Sequence, residues 1–347
     1  MSIEETIEPT KNFIPVSDSK GHYISWPSES SQSKTDIVLF HGDMRTSRSF
    51  DSVCRSLSIT NNVYAYDFLG HGDSDWPDKN YKLPDRSKEI INLTQLVSPE
   101  GCVAVGHSNG AAALVLAAYE SPDSFNMIIL MEPMLVVDKP FQQRASKRSE
   151  GSRRTWKDLG ELKQTLMSHP LTKNWDSQVI DDVVKYETFQ CADGIDIKWD
   201  SMTMAWKHRN GDYFNILEML PKLEMPVLFM VSEDRKGTYI AVRQSVNGQG
   251  RFQKIIIGDT GHNMYMERPR HVSELIQKFI LENQARLETA NLARKTIQKL
   301  WRRGRCKSYL VSIPWMSSGN FFINISSPTR STRNRHIAIY YLWLGSC

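Results

Sequence analysis

The stretch Cys102–Glu120, CVAVGHSNGAAALVLAAYE, opens as a short apolar run and continues as a small-residue segment with the look of a helix. Between the two stand Gly106-His107-Ser108-Asn109-Gly110. A serine with glycine two residues away on either side, where a buried strand meets a helix, is the pattern that lifts a hydroxyl clear above a sheet. The glycines carry no Cβ, so the tight turn passes its neighbours without a clash. Ala111, Ala112 and Ala113 then let the helix lie close to the sheet. A serine that only caps a helix satisfies the same letters. The apolar run before Ser108 and the alanine-rich run after it favour a nucleophile.

Outward from this point the chain alternates short apolar runs with helical patterns, which predicts an α/β fold with a mostly parallel central sheet flanked by helices. The predicted strands are Asp36–Phe40, Val63–Tyr66, Cys102–Val105, Met127–Leu130, Pro226–Val231 and Lys254–Ile257, after an opening hairpin of Phe13–Val16 and Tyr23–Trp26. Helices are expected over Ser47–Leu57, Asp85–Leu96, Asn109–Glu120, Tyr239–Val246, and from Pro269 towards Leu300. The alternation stops between Asp138 and Asn215, where the pattern reads as helical and holds Trp156, Trp175, Trp199 and Trp206. An inserted helical block inside a repeating core reads as a cap. The expected organisation is a core of residues 1–137 and 216–300, a cap of 138–215, and a basic, poorly ordered tail of 301–347.

Charge and composition narrow the function. The net charge is +4, but residues 289–347 hold ten basic side chains and no acidic one. The first 288 residues carry 33 basic and 39 acidic groups, a net −6. The basic character belongs to the tail, and nothing in the body suggests a nucleic-acid partner. No apolar run reaches about 18 residues, so no membrane span is predicted. The start, with Glu4, Glu5 and Glu8, lacks the form of a signal peptide. Five cysteines without metal-ligand spacing fit a reduced, cytoplasmic setting. Asp67, Gly70, His71, Gly72, Asp73 and Asp75 superficially resemble a metal loop, but the spacing is not that of a calcium site. No cofactor or metal is called for.

Ligands of open α/β sheets bind beyond the carboxyl ends of the strands. There this chain places His41-Gly42-Asp43, Asp67, Ser108, Glu132, Glu233-Asp234 and His262. A serine hydroxyl needs a base to take its proton, and His262, on a Gly-flanked turn after the last strand, is the leading candidate. The imidazole needs a carboxylate behind it. Asp234 is favoured, Glu132 is the alternative, and Glu233 is a third possibility. An oxyanion needs two preorganised donors: the backbone amides of Asn109 and Asp43. The Asp43 carboxylate would oppose a developing oxyanion, so it is expected to turn away, towards Arg45 or Arg48.

As a set, LFHGD (39–43), YDFLGHGDSDWP (66–77), VAVGHSNGA (103–111), ILMEP (129–133), PVLFMVSED (226–234) and GDTGHNMYMERP (258–269) resemble the α/β-hydrolase superfamily in its cap-bearing GHSxG branch. The resemblance implies Ser108 as nucleophile, His262 as base, and the amides of Asp43 and Asn109 as oxyanion hole. In this superfamily the acid follows either of two strands, which keeps both Asp234 and Glu132 in play. Two departures matter. The strand before Asp234 ends VSED, where relatives more often carry a glycine and one extra residue. The nucleophile is Ser, whereas haloalkane dehalogenases and epoxide hydrolases use Asp. The reading is a serine hydrolase acting on a carboxylic ester or related acyl compound, with a small, partly apolar substrate. The alternative is a non-catalytic binding protein or receptor on the same fold, since fold membership alone names no substrate.

Overall fold

The computed structural model describes residues 8–30, 35–78, 81–140, 143, 153–204, 213–233, 236–246, 249–302, 310–312, 323–326 and 338–340. Its centre is an eight-stranded sheet. The strands are β1 (Thr10–Val16), β2 (Ser19–Trp26), β3 (Asp36–Phe40), β4 (Asn62–Asp67), β5 (Cys102–His107), β6 (Phe125–Met131), β7 (Val227–Ser232) and β8 (Phe252–Ile257). They lie in the order β1-β2-β4-β3-β5-β6-β7-β8. The β1–β2 and β2–β4 pairs are antiparallel and the remaining pairs are parallel.

The inner strands are apolar without interruption because both of their faces are covered. Side chains alternate across a strand, so Ile37 and Leu39 of β3 join Val103 and Val105 of β5 in one core layer. Val38 and Phe40 join Ala104 in the other. Helices α1 (Asp51–Leu57) and the long C-terminal helix Pro269–Arg302 cover the first face through Val53, Leu57, Val272 and Ile276. Helices α2 (Leu83–Val97) and α3 (Asn109–Glu120) cover the second through Ile90, Leu93 and the alanines of α3.

After β3 the chain steps outward to β4, then returns to the other side of β3 as β5. The loops that follow β3 and β5 therefore leave the sheet side by side in opposite directions, which opens a crevice at their ends. Two buried histidines pin the loops there. His41 accepts from the Phe68 amide at Nε2 (3.1 Å) and donates from Nδ1 to the Gly42 carbonyl (2.7 Å). His71 accepts from the Met44 amide and donates to the Leu69 carbonyl. Asp67, at the end of β4, accepts from His22 and from the amides of Ser47 and Asp73. That carboxylate serves as an internal tie for its glycine-rich turn.

Between β6 and β7 the chain makes its long insertion. Its described residues include the helices Leu159–Ser168 and Ser177–Tyr186 and an antiparallel hairpin of Thr188–Cys191 with Gly194–Ile197. The hairpin differs from the all-helical reading of this stretch. Its turn needs Gly194 at φ +122°, and an added Cβ there would lie 2.2 Å from the Trp156 carbonyl oxygen. Val136–Val137 pair with Phe214–Asn215, which brings the two ends of the insertion together. Trp156 and Trp175 are buried in one apolar cluster with the first face of the sheet, while Trp206 lies outside the described residues. Beyond the C-terminal helix, Leu310–Ser312, Ile323–Ser326 and Ala338–Tyr340 pair as a small antiparallel sheet. Among the described residues no helix is long and apolar enough to cross a membrane.

Two predictions follow from this packing. A Cβ on Gly110 would lie 2.3 Å from the His41 carbonyl oxygen, a backbone atom that no rotamer change can move. Gly110→Ala is expected to destabilise the fold by about 3 kcal/mol, read from urea denaturation, since overpacking a close contact costs about 1–3 kcal/mol or more. Burial pushes the His41 pKa down to about 4 and that of His71 well below its usual 6.5. The unfolded chain takes up those protons near pH 6.5 and the folded chain does not. The stability they contribute is therefore complete above about pH 6.5 and is lost as pH falls towards 4. The urea midpoint should drop between pH 7.5 and 5, and NMR of the ring nitrogens should show His41 still neutral at pH 5.5.

Candidate active site

Ser108 stands at the junction of β5 and α3 with φ 54° and ψ −115°, a backbone geometry that L-residues other than glycine rarely adopt. Three hydrogen bonds hold it there. Its amide donates to the Met131 carbonyl (3.0 Å), and its carbonyl accepts from Met134 (3.1 Å) and Ala112 (3.2 Å). Gly106 and Gly110 make the turn possible by close approach. A Cβ on Gly106 would sit 2.6 Å from the Ala111 Cα, and one on Gly110 would strike the end of β3. Ser108 is 7% exposed.

His262 lies on the turn after β8, three strands away from β5 in the sheet, yet its Nε2 is 3.1 Å from Ser108 Oγ. His107, the neighbour of Ser108, anchors that turn: its Nε2 donates to the His262 carbonyl (2.9 Å). A carbonyl only accepts, so the His107 proton is on Nε2. Burial, and next the nearby His262, push the His107 pKa well below 6.5 and keep the ring neutral. The two imidazoles lie 4.7 Å apart, and Tyr265 packs edge-on against His107. The Gly261 amide donates to Glu267, closing the turn from its other side.

The carboxylate brought to His262 among the described residues is Glu132. Its Oε2 lies 3.5 Å from His262 Nδ1, and its side chain is fully buried against an imidazole that is 40% exposed. Glu132 follows β6 at φ 45°, with its amide bonded to the Met230 carbonyl (2.9 Å). Its Oε1 accepts from the Ser232 amide (2.6 Å), at the end of β7. Asp234, the acid that the sequence favours, lies outside the described residues, and Glu233 is exposed beside it.

Asp43 and Asn109 flank Ser108 from the ends of β3 and β5. Asn109 is the first residue of α3, and the leading N–H groups of a helix have no partner within it. The Asp43 side chain takes a different course from the expected one. Arg45 lies 3.7 Å from Glu187 and over the Trp175 ring, and Arg48 pairs with Asp51 and Glu8. Asp43 instead accepts from Arg86 Nη1 (2.7 Å) and from Asn109 Nδ2 (2.9 and 3.2 Å). Both competing arginines are already engaged by acids of α1, the N-terminal segment and the insertion. Arg86 reaches Asp43 from the buried face of α2.

The insertion meets the body at the same end of the sheet. The Gly72 amide donates to the Lys198 carbonyl, the Asp200 amide to Gly70, and the Asp176 amide to Met266. Glu187, buried, accepts from Ser49 (2.5 Å). Sequence reasoning passed over Arg86, which sits mid-helix with no motif around it. For His107, adjacency to the serine was the only signal.

A family model described as the alpha/beta hydrolase family matches residues 37–274. A 2-(acetamidomethylene)succinate hydrolase of Mesorhizobium japonicum is 31% identical over 96 residues, which cover 28% of this chain and 34% of that protein. The chain thus matches only about a third of that relative's length. An uncharacterized hydrolase of Bacillus subtilis is 24% identical over 70% of this chain and 89% of its own. Among solved structures, an E-2-(acetamidomethylene)succinate hydrolase superposes with a TM-score of 0.69 at 18% identity, covering 79% of this chain and 99% of that one. The match spans the sheet from β3 through β8 and every residue gathered around Ser108, and the chain belongs to the alpha/beta hydrolase family.

Proposed function

We propose that the chain is a serine hydrolase that cleaves a carboxylic ester or related acyl compound through an acyl-enzyme, with Ser108 as nucleophile, His262 as base and Glu132 as the acid behind it. The observation that carries this reading is the 3.1 Å contact between His262 Nε2 and the hydroxyl of a serine held at φ 54°. A turn of that strain persists only where its surroundings over-determine it, and such residues cluster at reactive sites.

Each group has a task. Ser108 Oγ attacks the acyl carbonyl carbon while its proton passes to His262 Nε2. The amides of Asp43 and Asn109 donate to the oxyanion that forms, and the N-terminus of α3 adds its partial positive charge. Collapse breaks the bond to the leaving group, which departs with the proton from Nε2, and the acyl group remains as an ester on Ser108. Water then attacks that ester, again giving its proton to His262, and the acid is released. Glu132 holds the Nδ1–H tautomer and stabilises the imidazolium. It suits this role because its second oxygen is already fixed by the Ser232 amide. The insertion acts as a cap that limits water at the crevice, and the substrate is a small, partly apolar acyl compound.

Wild type should react with a fluorophosphonate probe and Ser108→Ala should not. A folded wild type that leaves the probe untouched would favour the receptor reading. For the acid, turnover of 4-nitrophenyl butyrate should fall about 10⁴-fold in Glu132→Gln, the order seen when a triad acid is made neutral. Asp234→Asn should lose less than about tenfold. The reverse order would make Asp234 the acid.

A further inference from the structure

The acidic side chain beside the oxyanion hole calls for an explanation. Asp43 contributes one of the two proposed amide donors, and its carboxylate, on the same residue, is about nine-tenths buried. An unbalanced negative charge there would oppose the oxyanion in a site where water screens little. Asn109 and Arg86 both meet that carboxylate. Asn109, the other amide donor, gives both of its oxygens an N–H from Nδ2 at 2.9 and 3.2 Å. Arg86, whose side chain is 1% exposed, brings its guanidinium to 2.7 Å and lies against the Phe68 ring. The side chains of the two donor residues are thus tied to each other, and a buried cation from α2 closes the group.

We propose that Arg86 is a positioning residue for the proposed hydrolysis: by holding and neutralising the Asp43 carboxylate, it sets the two oxyanion donors and removes the charge that would oppose them. The inference rests on the serine-hydrolase reading above. Arg86 touches neither Ser108 nor His262 by hydrogen bond in the structure; its effect runs through Asp43 and Asn109.

The test is a double-mutant cycle on the full chain: wild type, Arg86→Met, Asp43→Asn, and both together. Folding is checked by circular dichroism, and the readouts are the fluorophosphonate labelling rate and 4-nitrophenyl butyrate kinetics. Arg86→Met should slow labelling and kcat about 10–100-fold with KM little changed, the pattern of a lost transition-state interaction. In the Asp43→Asn background, where no carboxylate needs a counter-ion, the same removal should cost less than about threefold. A folded Arg86→Met that labels at the wild-type rate overturns the proposal. So does a loss of about tenfold or more on removing Arg86 from Asp43→Asn, which also decides the matter if Arg86→Met alone does not fold. Wild type that never labels overturns the hydrolase reading and this inference with it; a labelling wild type with no Arg86 effect overturns this one alone.

Discussion

Ser108 can hold a φ of 54° because the backbone on both sides of it has nowhere else to go. The first turn of α3 presses on the carbonyl that ends β3, at a separation only Gly110 allows, and Gly106 lies against Ala111 in that same turn. Left-handed geometry in a residue with a Cβ costs on the order of 1–3 kcal/mol. Contacts from β6, α3 and the loop after Glu132 offset that cost. Much else is arranged around this contact. Asn109 begins the helix directly after Ser108, so its amide is one of the leading N–H groups without a partner within the helix.

The crevice itself comes from strand order. Reversal of direction after β4 puts the ends of β3 and β5 next to each other, so Asp43 and Asn109 meet although 66 positions apart in the chain. β6, β7 and β8 then follow on the same side, and their carboxyl ends carry Glu132, Ser232 and His262 in turn. The loops are also tied to one another: His107 to the His262 carbonyl, Glu132 to the Ser232 amide, Asn109 to Asp43. Such cross-ties hold titratable groups in place without relying on the flexibility of any one turn.

The buried histidines show how the same residue type takes opposite parts. His41, His71 and His107 are enclosed, hydrogen-bonded at fixed tautomers and held neutral by burial. His262 is 40% exposed and faces a hydroxyl on one side and a carboxylate on the other. The difference lies in solvent access and partners, neither of which the letters around each histidine record.

What the sequence determined by itself is whatever depends on neighbours close along the chain. Two-sided strands read as unbroken apolar runs, so the six parallel-core strands were legible to within two residues, as was α3 over Asn109–Glu120. The glycines around Ser108 announced a turn that needs them, and His262 stood out by following the last strand. The hairpin of the insertion was not legible, because a short turn at Gly194 and four-residue strands offer too little period to outweigh the helical stretches around them. For the carboxylates the sequence offered Glu132 as one of three acids for His262 without choosing it, and it gave no sign of Arg86 as a partner of Asp43. Glu132 meets His262 across 130 positions and Asp43 meets Arg86 across 43, with Arg86 in an ordinary helix. Only the tertiary structure decided these pairings, because a charge buried by the fold takes the nearest donor that packing leaves within reach, whatever the distance along the chain.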